Sequence, residues 1–279
     1  MSLLALAQLG RGVVPPDTPV LHADDEGVLR GRSVFETLRV YGGVPFMLSA
    51  HLDRLAASAE RLRLAPPPRD AFESAAFDAI GAAGVLDSAL RLLWTAGREG
   101  GGAPSGLVLV SSLPEGLDAL RARGLRLAVV RWATGALAGT KSTSYAENMA
   151  AQDDAMRRDA DDALLVAPDG TVLEAPTANV WFREGGRLLT PTLELPLLAG
   201  VTRAAIRRLA PQAGYDVEEG VFPLERMLAA EEAFLTSSVR EVAPVVSIDG
   251  SPVGSGRPGL AAEALQRALR VAAGYPDGA

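Results

Sequence analysis

Cysteine is absent from the 279-residue sequence, which excludes disulfides, thiolate metal sites, iron–sulfur clusters and a cysteine nucleophile. Histidine is scarce. His22 and His51 are the only two, which argues against a zinc hydrolase built on two or three imidazoles and leaves two candidate bases for Ser-His-Asp chemistry. No apolar run approaches the ~18 residues that cross a bilayer. The opening Met1-Ser2-Leu3-Leu4-Ala5-Leu6 has no basic flank and meets Arg11 early, so no secretory signal is expected. Acidic residues outnumber basic ones by 34 to 27, the wrong balance for a general nucleic-acid binder. The expectation is a cytoplasmic protein with no metal, membrane or nucleic-acid partner. With 48% hydrophobic and 22% charged residues, the chain suits one large domain or two smaller ones.

The most informative scarcity is lysine. Lys141 is the only one, and the other 26 basic residues are arginine. The Ala-, Gly- and Arg-rich composition suggests a coding bias against lysine as the plainest reading of that imbalance. A position that keeps an amine where arginine has replaced it elsewhere nevertheless points to chemistry, because lysine becomes a neutral nucleophile or base and arginine does not.

Hydrophobic patterning predicts mixed α and β structure. Strands are expected at Val34–Tyr41, Val44–Met47, Ala89–Ala96 and Leu107–Ser112, with a hairpin at Gly42-Gly43. A helix capped by Ser49 should run from Ala50 to about Leu64, and a second from Arg69 to Ala83, closed by Gly84. Beyond a polar connector at Leu113–Gly124, strands are expected at Leu125–Trp132, Ala163–Val166, Val172–Leu173, Val180–Phe182 and Leu188–Thr190. Helices are expected at Ala146–Arg158, Arg203–Ala210 and Gly259–Ala272. Hairpins outnumber βαβ units, so the reading is α+β with two domains, residues 1–114 and 115–279.

Strand alternation puts Phe35, Thr37, Arg39 and Tyr41 on one face of the first long strand and Val34, Glu36, Leu38 and Val40 on the other. The first face has a polar centre, which suits either a solvated surface or a cleft receiving an anion. Arg91, Leu93 and Thr95 share a face in the same manner, and Arg91 is of the type that grips a carboxylate with two hydrogen bonds. Arg54 follows Asp53, which reads as a surface charge cluster. At Gly200-Val201-Thr202-Arg203 a helix begins, with Thr202 as its expected N-cap and backbone N–H groups that attract phosphate. Thr236-Ser237-Ser238 supplies hydroxyls just past a strand. Glu174 lies 33 residues after Lys141. A lysine joined as a Schiff base and an acid at the pyridine nitrogen are the pair that pyridoxal phosphate chemistry requires. His22 and Trp132 carry no assignable role beyond packing.

Several blocks, in order, resemble the class IV aminotransferases, the pyridoxal-phosphate fold type IV family. They are Ser33–Val40, His51–Leu55, Lys141–Asn148, Asp162–Asn179, Gly200–Arg203 and Thr236–Pro244. The resemblance implies an N-terminal α/β domain and a C-terminal barrel-like α+β domain carrying the cofactor lysine, with pyridoxal 5'-phosphate between them and a homodimeric assembly. It matches Lys141 to the lysine that carries the cofactor, Glu174 to the acid at the pyridine nitrogen and Arg54 to the phosphate-binding arginine. Val201 and Thr202 match the helix-entry phosphate site, Ser237 and Ser238 its second loop, and Tyr145 a tyrosine near the ring oxygen. Arg39 and Arg91 fall on strands lining the substrate side.

Within the family, Leu48–His51 and the run from Lys141 to Asn148 look most like 4-amino-4-deoxychorismate lyases. Ala96 stands where the D-amino-acid branch has arginine, and Glu174-Ala175-Pro176 replaces the Glu-Gly of the branched-chain branch. Gly31-Arg32-Ser33 departs in turn from the Gly-Asp-Gly of many lyases. The expected function is conversion of the small molecule 4-amino-4-deoxychorismate to 4-aminobenzoate and pyruvate in folate synthesis, with Lys141 as base and Thr37 as proton donor. Transamination of branched-chain or D-amino acids is the alternative.

Overall fold

The computed structural model describes residues 1–275; residues 276–279, the end of the expected second domain, lie outside them. One compact unit comprises Met1–Glu115 with Thr140–Tyr145, and the other Gly116–Gly139 with the residues from Ala146 on. The lysine segment, expected in the second domain, therefore belongs to the first unit. The reason is hydrogen bonding, described below.

The first unit contains β1 (Leu3–Gln8), β2 (Gly12–Val14), α1 (Glu26–Arg30), β3 (Ser33–Tyr41), β4 (Val44–Pro45), α2 (Leu48–Arg61), α3 (Arg69–Ala83), β5 (Ser88–Thr95) and β6 (Gly106–Ser111). Its strands form one sheet in the order β2-β1-β6-β5-β3-β4, antiparallel at every pairing. Leu38, Val40, Leu90 and Leu92 join Leu52, Leu55 and Phe72 of the helices in one buried core, each large side chain contributing about 1.5–3 kcal/mol on burial. That core consumes one face of β3 and β5 and leaves the other to Phe35, Thr37 and Arg91. Helix α2 begins at Leu48 with Met47 as its N-cap. Ser49 does not cap it, and instead accepts a hydrogen bond from Arg69 at 2.7 Å.

The second unit contains α4 (Leu117–Arg123), β7 (Leu125–Arg131), α5 (Ala146–Arg157), β8 (Asp162–Val166), β9 (Asn179–Glu184), β10 (Arg187–Pro191), α6 (Val201–Leu209), β11 (Asp216–Gly220), α7 (Leu224–Leu228), β12 (Glu232–Ser237), β13 (Glu241–Ile248), β14 (Ser251–Pro252) and α8 (Leu260–Ala272). The sheet runs β11-β10-β9-β12-β13-β7-β8, with β14 on β13. A short extended segment then joins its two ends. Leu173 N donates to Leu165 O of β8 at 3.0 Å, while Val172 N donates to Phe222 O, just beyond β11, at 2.9 Å. The sheet thereby becomes barrel-like around Leu127, Leu164, Val180, Phe182 and Leu235. Among the described residues, no helix is long and apolar enough to cross a membrane.

Candidate active site

In the first unit, Lys141 is placed by an added edge on β3. Phe35 N donates to Lys141 O at 3.0 Å and Thr143 N to Ser33 O at 2.9 Å, with Ser142 opposite Val34. Residues paired this way alternate together, so Lys141 shares the polar face with Phe35 and Thr37 while Ser142 turns into the core. The lysine Nζ stands 4.6 Å from the Phe35 ring centroid and 5.9 Å from that of Tyr145. The two rings meet edge to face at 5.5 Å. An ammonium held over aromatic faces is stabilised by their quadrupoles. Gly31 and the lysine segment are knitted together as well: Thr143 and Ser144 hydroxyls both donate to Gly31 O at 3.2 Å. Gly31 has φ +64°, and a Cβ there would meet the Ser144 hydroxyl.

Thr37 lies directly opposite Arg91 in the β3–β5 register, and Arg91 Nε donates to Thr37 Oγ1 at 3.4 Å. The Arg91 guanidinium also sits 5.6 Å from the Phe35 centroid. Lys141, Phe35, Tyr145, Thr37 and Arg91 thus form one exposed-to-half-buried cluster. Arg39 is two residues further along the same face but is buried and stacks 4.9 Å from the Tyr41 ring centroid.

Arg54 is set on the opposite side of β3, and Asp53 is not its partner. Its Nε and Nη2 donate to Glu36 Oε1 and Oε2 at 2.8 and 2.6 Å, while Asp53 pairs with Arg69 on the surface. Glu36 is fully buried, and His51 Nδ1 lies 2.7 Å from its Oε2. Burial pushes the Glu36 carboxyl up, but the charge and hydrogen bonds of Arg54, aided by His51, outweigh it and hold the group at about 2. An ionised carboxylate only accepts, so the His51 proton belongs on Nδ1. Burial lowers the His51 pKa against the opposing pull of Glu36, with the Arg54 and Lys141 charges adding to the lowering. Glu36 was legible only as an acid on an otherwise apolar strand face.

In the second unit, Glu174 sits on the segment that closes the barrel-like sheet. Leu198 N donates to both of its carboxylate oxygens at 3.2 Å, and Asn179 Nδ2 donates to Oε2 at 3.0 Å. Asn179 also donates to Leu198 O at 2.9 Å, so one amide fixes the acid and the loop facing it. Nothing in the spacing singled out Asn179 beyond its place in the Asp162–Asn179 block. Helix α6 is capped by Gly200, not Thr202, with no side-chain cap bond. Thr202 is buried within the first turn. The first intrahelical bond runs from Ala204 N to Gly200 O, which leaves the N–H groups of Val201 and Thr202 outside the helical ladder. A Cβ at Gly200 would overlap Asn179 Oδ1, so glycine is what lets the helix start approach Asn179.

Ser237 Oγ accepts from Arg240 N at 3.4 Å in the β12–β13 turn, next to half-buried Ser238. The neighbouring Thr236 hydroxyl is committed to Trp181 Nε1 at 3.1 Å inside the core. Among the described residues, no group of three or more potential ligands is placed to hold a metal ion.

Residues 33–248 match the family Amino-transferase class IV. The chain belongs to the class IV aminotransferases. It is 34% identical over 258 residues to the bifunctional aminodeoxychorismate lyase / D-amino acid transaminase of Mycobacterium tuberculosis, covering 85% of this chain and 89% of that one. Identity to the aminodeoxychorismate lyase of Bacillus subtilis is 32% over 258 residues, covering 88% and 87%. The PLP-bound form of a hypothetical aminotransferase from M. tuberculosis superposes with a TM-score of 0.90 at 32% identity, covering 96% of this chain and 98% of that one. This class IV aminotransferase family member is accordingly a pyridoxal 5'-phosphate enzyme, an aminodeoxychorismate lyase or an aminotransferase, on the class IV fold.

Proposed function

We propose that the enzyme is a lyase that converts 4-amino-4-deoxychorismate to 4-aminobenzoate and pyruvate, acting as a cytoplasmic homodimer in folate synthesis. The observation that carries this reading is the Thr37 hydroxyl opposite Arg91, on the strand face shared by Lys141. A proton donor, a carboxylate-binding cation and a base then stand on one surface. The names of the relatives from M. tuberculosis and B. subtilis support it.

The donor types present suit pyridoxal phosphate. A single amine, Lys141, would meet its aldehyde, and a carboxylate, Glu174, would meet its pyridine nitrogen. For the phosphate there are the free N–H groups and hydroxyl at Val201 and Thr202, the Ser237–Ser238 turn and the Arg54 guanidinium. Tyr145 adds a phenol beside the lysine. Bound there, the cofactor supplies an electron sink for charge developing at the amine-bearing carbon of the substrate.

The residues of the chain handle protons and orientation. Lys141, once neutral, takes the proton from the amine-bearing ring carbon. The carbon–oxygen bond to the enolpyruvyl group then breaks, the ring becomes aromatic, and Thr37 delivers a proton to the departing fragment, which settles as pyruvate. Arg91 and Arg39 hold the two substrate carboxylates. General acid–base help of this type is worth roughly 10²–10⁴-fold.

Transamination is the second reading, favoured by the bifunctional M. tuberculosis relative. In that case Lys141 would act as proton carrier as well as base, and a 2-oxo acid is required as acceptor. The test supplies purified enzyme and pyridoxal phosphate with 4-amino-4-deoxychorismate and no 2-oxo acid, following 4-aminobenzoate and pyruvate. Equimolar release of both is expected. No release, with D-alanine or a branched-chain amino acid converting the cofactor to its aminated form, would establish the transaminase instead. Borohydride reduction followed by peptide mass measurement should place the cofactor on Lys141.

A further inference from the structure

Arg240 lies in the β12–β13 turn beside Ser237 and Ser238, yet its side chain works elsewhere. Nη1 donates to Asp162 Oδ2 at 2.7 Å, and Nη2 donates to Thr177 Oγ1 at 2.7 Å. Asp162 is fully buried, and its other oxygen accepts from Gln152 Nε2 at 3.3 Å and from Ala163 N at 2.9 Å. Thr177 is exposed at the tip of a tight turn in which Ala175 N donates to Ala178 O at 2.8 Å. The residues flanking that turn are Glu174 and Asn179, already joined to each other. The backbone of Arg240 is itself fixed, since its N–H donates to Ser237 Oγ and its carbonyl accepts from Arg121 Nη1 at 3.1 Å.

We propose that Arg240 is a positioning residue for the cofactor: it sets the separation between the turn carrying Ser237 and Ser238 and the turn carrying Glu174. The proposal rests on the assignment of those residues to pyridoxal phosphate. The turns lie at the ends of the neighbouring strands β9 and β12, whose pairing stops at Asn179 opposite Thr236, so the strand pairing itself does not join the two turns beyond that point. A planar guanidinium does, because its two outer nitrogens point in fixed directions. One arm is anchored on a carboxylate that cannot leave the core, and the other arrests the Thr177 turn. Lysine would keep the ion pair and lose the second arm.

The test uses the full chain stripped of cofactor with hydroxylamine and re-titrated with pyridoxal phosphate, alongside thermal melts of the stripped protein. Thr177→Val removes the acceptor without touching the buried Asp162, and Arg240→Lys keeps its counter-charge, so both should fold. Each should raise the cofactor dissociation constant about fivefold, the size of one lost hydrogen bond. The melting temperature of the stripped protein should stay within about 3 °C of wild type. Thr177→Ser, which keeps the hydroxyl, should bind as wild type. The double variant Thr177→Val/Arg240→Lys should be no weaker than either single one, because both remove the same tie. Wild-type dissociation constants in both single variants would overturn the positioning role. Weakening by Thr177→Ser equal to that of Thr177→Val would overturn it too. Failure of the wild-type chain itself to bind would instead overturn the cofactor assignment beneath it.

Discussion

Glu36 in the first unit and Asp162 in the second are both fully buried carboxylates facing an arginine, but the arginines are spent differently. Arg54 turns two nitrogens onto the two oxygens of Glu36, and His51 takes a further lone pair of the same acid. Arg240 gives Asp162 a single nitrogen and sends the other to an exposed threonine. The first arrangement concentrates charge at one point beneath β3. The second uses a buried charge as an anchor from which to hold a surface turn. A buried pair of either sort adds little net stability over well-packed apolar residues, yet breaking one strands a charge.

That contrast ranks the expected effects of substitution. Glu36→Gln leaves Arg54 and His51 facing a neutral amide, and should cost about 3–5 kcal/mol, read from urea unfolding midpoints. Loss of less than ~1 kcal/mol would mean that the three groups relax independently. Asp162→Asn should cost about 1–3 kcal/mol by the same measurement, because one nitrogen rather than two loses its charged acceptor and the Thr177 bond survives.

Acid should act on the first cluster in two stages. His51 has its folded pKa below the ordinary 6.5, so the unfolded chain binds that proton first and stability falls as pH drops through 6.5. Glu36, lowered from 4.5 to about 2, contributes stability that is complete above 4.5 and is lost as pH falls towards 2. Midpoints measured between about pH 8 and about pH 3 should decline accordingly, and Glu36→Gln should flatten the lower limb. The smallest effect belongs to Asp53→Ala. Its partner Arg69 is a solvent-exposed side chain, and the change should stay within about 0.5 kcal/mol. A larger loss would show that Asp53 supports Arg54 after all.

Much of the first unit was readable from alternation alone. The polar face of Phe35, Thr37 and Arg39, and the companion face of Arg91, follow from a period of two and reappear in the register of β3 and β5. Helix α3 ran from Arg69 to Ala83 with Gly84 behind it, as the glycine signal suggested. Long-range pairing was not readable. Lys141 lies closer in sequence to α5 than to any element of the first unit, yet three residues of edge pairing tie it to β3. Strand β1, Leu-Leu-Ala-Leu-Ala-Gln, has no β-branched residue and no alternation, so an apolar run that short carries no strand signature. The Glu36–Arg54 contact was hidden by a nearer acid, Asp53, because local sequence cannot tell which carboxylate a folded strand will present. Both helix caps assigned to hydroxyls were wrong for a shared reason. Met47 and Gly200 hold the turning backbone, and Ser49 and Thr202 fall inside the helices. Glu174 and the lone lysine were legible as residue types, whereas the amide of Asn179 and the Leu198 N–H that orient Glu174 depend on a loop returning 19 residues after Asn179.

The strip Lys141–Thr143 has a second consequence for the protein. It occupies the open border of β3 where that strand would otherwise present bare peptide groups, and unprotected borders of this kind recruit strands from other molecules. The same three residues that carry the proposed cofactor amine therefore act as a selvedge on the sheet. Cutting the chain in the stretch leading to them would be expected to promote clumping of the protein as well as loss of its chemistry.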